Sequence, residues 1–214
     1  MIQAEEISLE GVSVFIAMPA HRAIPVPTVL SIAETVAMCI GSGIPIELSI
    51  PSGGSVITAA RNRAAHLFLK SGFTHCFWID SDIQWDAESF IRILARATKR
   101  EISRAVYPKR RDPIAFDADG LGFTCMQRKV IEGVAENAPL IFYGEDEPCR
   151  EIFREGLAKT EAATDAGAAY EFVAEDAAFM GEAAKLGYAP WIDPTVTLGH
   201  VGEKTYRGKL EDYL

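Results

Sequence analysis

Cysteine is scarce and scattered. The four present, Cys39, Cys76, Cys125 and Cys149, form no CxxC or CxxH pair, which argues against zinc-ribbon and dithiol redox arrangements and leaves buried reduced thiols as the expectation. Positive charge is in deficit too. Against 30 Asp and Glu stand only 21 Lys and Arg, a net charge of −9. Proteins that grip phosphate backbones or anionic membranes generally need a basic face, so no nucleic-acid partner is expected. No apolar run approaches the ~20 residues of a membrane-spanning helix, which argues against an integral membrane segment. The opening residues MIQAEEISLE are acidic where a secretory signal is basic and then apolar, so a soluble, cytoplasmic protein is expected. No internal repeat is visible, and the oligomeric state is not encoded in any motif.

What is present is enough for one substantial core: 214 residues with 49% apolar and 24% charged side chains, read as a single domain over 1–214. Val12–Met18 (VSVFIAM) is a continuous apolar strand that stops at Pro19. Helical spacing then predicts a helix over Val26–Cys39, a strand over Ile44–Ile50, a helix over Ser55–Leu69 and a strand over Thr74–Ile79. Such alternation means parallel strands joined by crossovers, with ligands beyond the carboxyl ends of the strands. A helix over Ala87–Thr98 and a strand near Ile102–Tyr107 follow. At PKRRDP the alternation breaks, because two prolines bracket the basic cluster Lys109–Arg111. Gly120–Met126 reads as a strand leading into a helix at Arg128–Val134, and 137–170 as a partly helical, mobile insertion. A helix over Glu175–Leu186 and short strands near Ala189–Ile192 and Thr195–Leu198 close the pattern.

At the third strand end, THCFWIDSDI, an interior run finishes in two carboxylates one residue apart, Asp80 and Asp82. With 11 aspartates in the chain, a D-x-D triplet arises by chance about half a time, so the triplet alone is weak. The second one, Asp117-Ala118-Asp119, lies in a polar stretch and reads as a solvated turn. Asp80 and Asp82 follow a buried strand and precede Ile83, Trp85 and a new helix. Paired carboxylates at the edge of a core need a positive partner, and a hard divalent ion, Mg²⁺ or Mn²⁺, with phosphate and water as its other ligands, suits them.

Further motifs extend the pattern: AEDAAF at 174–179, then LGY, then WIDP at 191–194, then LGHVG at 198–202, with GLGFTCMQRKVIEGV earlier. In this order the chain resembles the GT-A glycosyltransferases, leaving 137–170 unmatched. The resemblance implies an α/β fold of GT-A type: a Rossmann-like, mostly parallel sheet flanked by helices, with a mixed C-terminal part. It implies a metal-dependent transferase moving a sugar from a nucleotide-diphosphate donor to an acceptor hydroxyl of a glycan or glycoconjugate.

On that pattern Asp82 is the direct ligand of Mn²⁺ or Mg²⁺, Asp80 supports the metal or the ribose, and His200 is the remaining protein ligand. Asp176, beside Glu175, is the candidate base. Helical spacing aligns Asp176 with Phe179, Met180 and Ala183 on the face turned to the sheet, and turns Glu175 elsewhere. Pro19, Ala20, Arg22, Arg61, Ser81 and Lys204 are the donor-side candidates, with Arg63 and Arg207 as further cations. Arg61 sits at the edge of a buried helix face, where Asp80 is an equally good structural partner. His21, His66 and His75 read as structural, and Trp85 and Trp191 as core or rim. An aspartate-nucleophile phosphatase fits less well, because Gln84 stands where its motif has Thr or Val and the strand is the third. A non-catalytic sugar-nucleotide binder or interaction protein is the alternative from a different class. Donor sugar, base, acceptor and stereochemical outcome are not legible.

Overall fold

The computed structural model describes residues 7–21, 23–51, 56–109, 112–116, 120–144, 147–164, 167–202 and 206–213. Along the chain, β1 (Val14–Ala17), α1 (Val26–Gly41), β2 (Ile46–Ser49), α2 (Ile57–Lys70), β3 (His75–Ile79), β4 (Ile83–Gln84), α3 (Ala87–Ala97) and β5 (Ile102–Arg104) form the first half. The second half holds β6 (Pro108–Lys109), β7 (Asp112–Phe116), β8 (Phe123–Gln127), α4 (Arg128–Glu136), β9 (Leu140–Ile141), β10 (Cys149–Arg150), β11 (Gly156–Thr164) and β12 (Gly167–Val173). It ends with α5 (Glu175–Lys185), β13 (Pro190–Ile192), β14 (Leu198–His200), β15 (Tyr206–Gly208) and a 3₁₀ turn, Leu210–Tyr213.

Six strands form the main sheet in the order β13, β5, β8, β3, β1, β2. β1 runs parallel to β2 and β3, and β13 parallel to β5, as the alternation requires. β8 runs against both its neighbours. The continuous apolar runs are strands buried on two faces: Val14, Ile16, Phe77 and Ile79 pack into one core, Phe15, Ala17, Cys76 and Trp78 into the other. Such period-two alternation divides one strand between two cores. Phe77 stacks on Phe90 of α3, ring centroids 4.3 Å apart. Asp86 caps α3, accepting from the Ser89 N–H at 2.6 Å. All four cysteines are buried, and no two of them are joined in a disulfide. Among the described residues no helix is long and apolar enough to cross a membrane.

Two expectations are corrected. The stretch 137–170 is not partly helical: its described residues form antiparallel pairs, β9 with β10 and β11 with β12. Ala and Glu favour helix locally, yet the stretch has no 3.6-residue apolar period, and a helix without a face to bury is marginal. The strand expected at Thr195–Leu198 lies at Leu198–His200, because β14 is set by pairing with β4 and β15 instead of by the main sheet.

Candidate active site

Beyond the carboxyl ends of β1 and β3 opens a cleft of about 400 Å³, lined by Pro19, His21, Ile57, Arg61, Asp80, Ser81, Asp82, Tyr107 and His200. Asp80 leaves β3 where its backbone N–H donates to the Gly122 carbonyl at 3.0 Å. Both its oxygens are engaged: Oδ1 accepts from Arg61 Nη2 at 3.2 Å and Oδ2 from the Tyr107 hydroxyl at 3.1 Å. A side chain on Gly122 would put its Cβ 2.6 Å from Asp80 Oδ2, so only glycine leaves room for this arrangement. Burial pushes the Asp80 carboxyl above the usual range; Arg61 and the Tyr107 hydroxyl pull it down, while Asp82 and Asp176 push it up.

The short strand β4 brings the second half of the chain to this point. It pairs antiparallel with β14 so that His200 lies opposite Ile83, and the Val201 N–H donates to the Asp82 carbonyl at 2.7 Å. His200 Nδ1 lies 2.9 Å from the Pro108 carbonyl. A carbonyl can only accept, so Nδ1 carries a proton and Nε2 is directed to Asp82 Oδ2, 3.5 Å away. The His200 ring meets Tyr107 edge-on at 5.2 Å.

Arg61 joins the acidic strand end to α5. Its side chain is only 5% exposed, and its Nε lies 3.5 Å from Glu175 Oε1. The expected facing of α5 is therefore corrected: Glu175, 8% exposed, shares the buried stripe with Phe179 and Ala183. Asp176 is half-buried at the rim, its Oδ1 accepting from the Ala177 N–H at 2.8 Å. Both registers fit a helix; the buried cation selects the one that gives Arg61 a second carboxylate. Burial pushes Glu175 up as well, opposed by Arg61. Arg61 Nη1 is buried with no hydrogen-bond partner among the described residues.

No family model matches the chain, and no curated protein matches it in sequence. Solved structures match in fold. A197 from STIV is 13% identical over 94% of this chain and 91% of that one, with a TM-score of 0.55. The catalytic domain of Drosophila β-1,4-galactosyltransferase 7, in complex with xylobiose, is 9% identical over 90% of this chain and 71% of that one, TM-score 0.54. A mutant of that enzyme in complex with manganese, UDP-Gal and xylobiose is 8% identical over 93% and 71%, TM-score 0.50. The chain has the GT-A fold. At such identities the likeness is one of architecture, and the chemistry rests on this chain's own residues.

In this GT-A fold the sequence candidates divide. Asp80, Ser81, Asp82, Arg61, Pro19 and His200 meet at the cleft. Ala20 is buried beside it, its N–H donating to the Pro51 carbonyl. Arg22, Lys204, Arg110, Arg111, Asp117, Asp119 and Ser52–Ser55 lie outside the described residues. Arg63 packs over the Tyr143 ring and Arg207 lines a separate hollow with Glu34 and Trp85. His66 lies by Glu147, and Trp85 is buried, its Nε1 donating to Thr35. Tyr107, Gly122 and the Pro108 carbonyl are neighbours of Asp80 and His200 that the sequence does not flag; the strand end at Ile102–Tyr107 is the one signal pointing to Tyr107.

Among the described residues no group of three or more His, Cys, Asp or Glu is arranged to hold a metal ion unaided. The donor set still suits a hard ion. Asp82 offers a carboxylate and His200 its Nε2, and with Asp80 held by Arg61 and Tyr107 the remaining positions would fall to phosphate and water.

Proposed function

We propose that this protein is a metal-dependent glycosyltransferase that moves a sugar from a nucleotide-diphosphate donor to a hydroxyl of a carbohydrate or glycoconjugate acceptor, and that it works in the cytoplasm. One observation carries the reading: Asp80 and Asp82 from the end of β3, Arg61 from α2, His200 from β14 and the Glu175-Asp176 pair of α5 converge although up to 139 residues separate them in sequence. Mn²⁺ or Mg²⁺ held by Asp82 and His200 would supply positive charge to the departing diphosphate. Asp82 and His200 fix where the donor's phosphates lie. Asp80, locked by Arg61 and Tyr107, is rigid enough to orient the donor through its remaining acceptor capacity. Asp176 takes the proton from the acceptor hydroxyl as its oxygen attacks the anomeric carbon, and Glu175 holds Arg61 rather than reacting.

The test is a thermal-shift screen of UDP-, GDP- and dTDP-sugars with and without Mn²⁺. Saturation at 100 times Kd adds about 2.7 kcal/mol, or a rise of roughly 5–10 °C for a chain of this length. A rise that needs the metal and selects one nucleotide is expected; no shift with any donor would overturn the proposal. Donor hydrolysis or transfer that vanishes in Asp176→Asn with nucleotide binding intact separates enzyme from binder.

A further inference from the structure

α1 is turned inside out. Its buried face is Thr28, Ser31, Thr35 and Cys39. Opposite lies a stripe of Val26, Val29, Leu30, Ala33, Ala37 and Ile40, all exposed, with Val26 70%, Leu30 57% and Ile40 67% open. At 3.6 residues per turn the stripe occupies about 100° of arc, the width of a core-facing face. The rotation is locked from inside. Ser31 Oγ donates to the Trp85 carbonyl at 2.6 Å and accepts its N–H at 3.1 Å, and Thr35 Oγ1 accepts from Trp85 Nε1 at 2.8 Å. Rolling the apolar stripe inward would break all three bonds in a buried place. The helix thus turns its hydroxyls to the core, with Ile32 and Cys39 beside them, and leaves these six aliphatic side chains outside.

We propose that the outer stripe of α1 is a two-fold interface with a second copy of this chain, the two helices packing antiparallel about Thr35. Three observations select that occupant. The middle four of the six stripe residues read the same in both directions about position 35, Ala33 mirroring Ala37 and Leu30 mirroring Ile40, with Val26 and Val29 extending the stripe at its N-terminal end. An isologous contact requires such self-complementarity. Two small residues flanked by branched ones also let the helix centres approach while the ends interdigitate. Charge is the second. The chain carries −9 overall, yet Glu34 is the single charged residue of α1 and lies to the side of the stripe. Copies that repel elsewhere can meet through a neutral face, whereas an anionic membrane or an acidic partner is disfavoured. The third is area. The four branched side chains leave roughly 400 Å² open per copy, and with the alanines and rim two copies bury on the order of 1,000 Å², the lower bound of a specific interface.

An interface of that size is expected to be concentration-dependent. Sedimentation velocity on the whole chain between about 1 and 100 µM should show a shift from 23.3 kDa towards twice that mass. Raising salt from about 0.1 to about 1 M should tighten the association, because it screens like charges and strengthens apolar contact. Ala37→Glu should remain a monomer throughout with unchanged circular dichroism, whereas Glu34→Gln, beside the stripe, should associate at least as well as the parent. Since the native cysteines are buried, a mixture of Ala33→Cys and Ala37→Cys chains should oxidise to linked pairs faster than either alone. A parent that stays monomeric at about 100 µM, association that salt weakens, or a dimer that survives Ala37→Glu overturns the proposal. Monomers that bind neutral phosphatidylcholine vesicles through this face overturn it in favour of a membrane.

Discussion

Arg61 shows how one side chain settles a question that sequence leaves open. A guanidinium with 5% exposure must be paired, and it is paired twice, with Asp80 and Glu175. The structural and functional readings of Arg61 are therefore compatible: the ion pair fixes the carboxylate at the cleft and ties α2 to α5. Removing one partner of a buried cluster strands the others, at about 3–5 kcal/mol. Arg61→Met is expected to lose that much in urea unfolding, with Asp80 and Glu175 rising further in pKa because their neutralising neighbour is gone. Arg61→Lys keeps the charge but not the planar fork that reaches both carboxylates, and should fall between parent and Met. An Arg61→Met variant as stable as the parent would show that the cluster is not under this constraint.

Among the elements, α2 does most to place the others, through Asn62. Its Nδ2 donates to the Tyr143 hydroxyl at 2.9 Å and the Phe153 carbonyl at 2.8 Å, while Oδ1 accepts the N–H groups of Ile152 and Phe153 at 3.0 and 2.8 Å. Phe153 in turn stacks on Phe179 of α5 at 4.7 Å and meets Trp78 of β3 edge-on. One amide thus seats the segment on which the Glu175-Asp176 helix rests. Asn62→Ala leaves buried backbone groups unsatisfied and is expected to lower stability by about 2–4 kcal/mol, with amide exchange accelerating first over Ile152 and Phe153; unchanged protection there would refute the pinning role. Within ARNRAA the arginines announce themselves by charge, whereas an asparagine in a helix gives no sign of what it will clasp 90 residues later. The alternation of strands and helices was legible because burial on two faces leaves continuous apolar runs. The direction of β8 was not, since the same run serves a parallel or an antiparallel strand. The facing of α5 turned on a single register step, and only the buried Arg61 distinguishes Glu175 from Asp176.

Across the whole molecule, the C-terminal part that delivers His200 has to be held to the N-terminal half, and Asp193 fastens it. Its carboxylate is 2% exposed. Oδ2 accepts from Arg92 Nε on α3 at 2.7 Å, Oδ1 accepts from the Thr195 hydroxyl and N–H, and the Asp193 N–H donates to the Arg104 carbonyl beside β13. Burial alone would raise this carboxyl; the bonds from Thr195 and Arg92 outweigh it and hold the group below the ordinary aspartate range. With a depressed folded pKa, the ionised group stabilises the protein fully above its unfolded value near 3.9, and that contribution is lost as pH falls through the folded value. Asp193→Asn keeps the shape and loses the charge, so at neutral pH it should be less stable than the parent by about 1.5–3 kcal/mol. The gap should hold between about pH 7 and pH 5 and narrow below about pH 4, because there the parent's own carboxylate takes up a proton and comes to resemble the amide. Paired urea titrations at those pH values read the gap directly. A gap that stays constant or widens towards about pH 3 would mean that the carboxylate's charge is not what fastens the two halves.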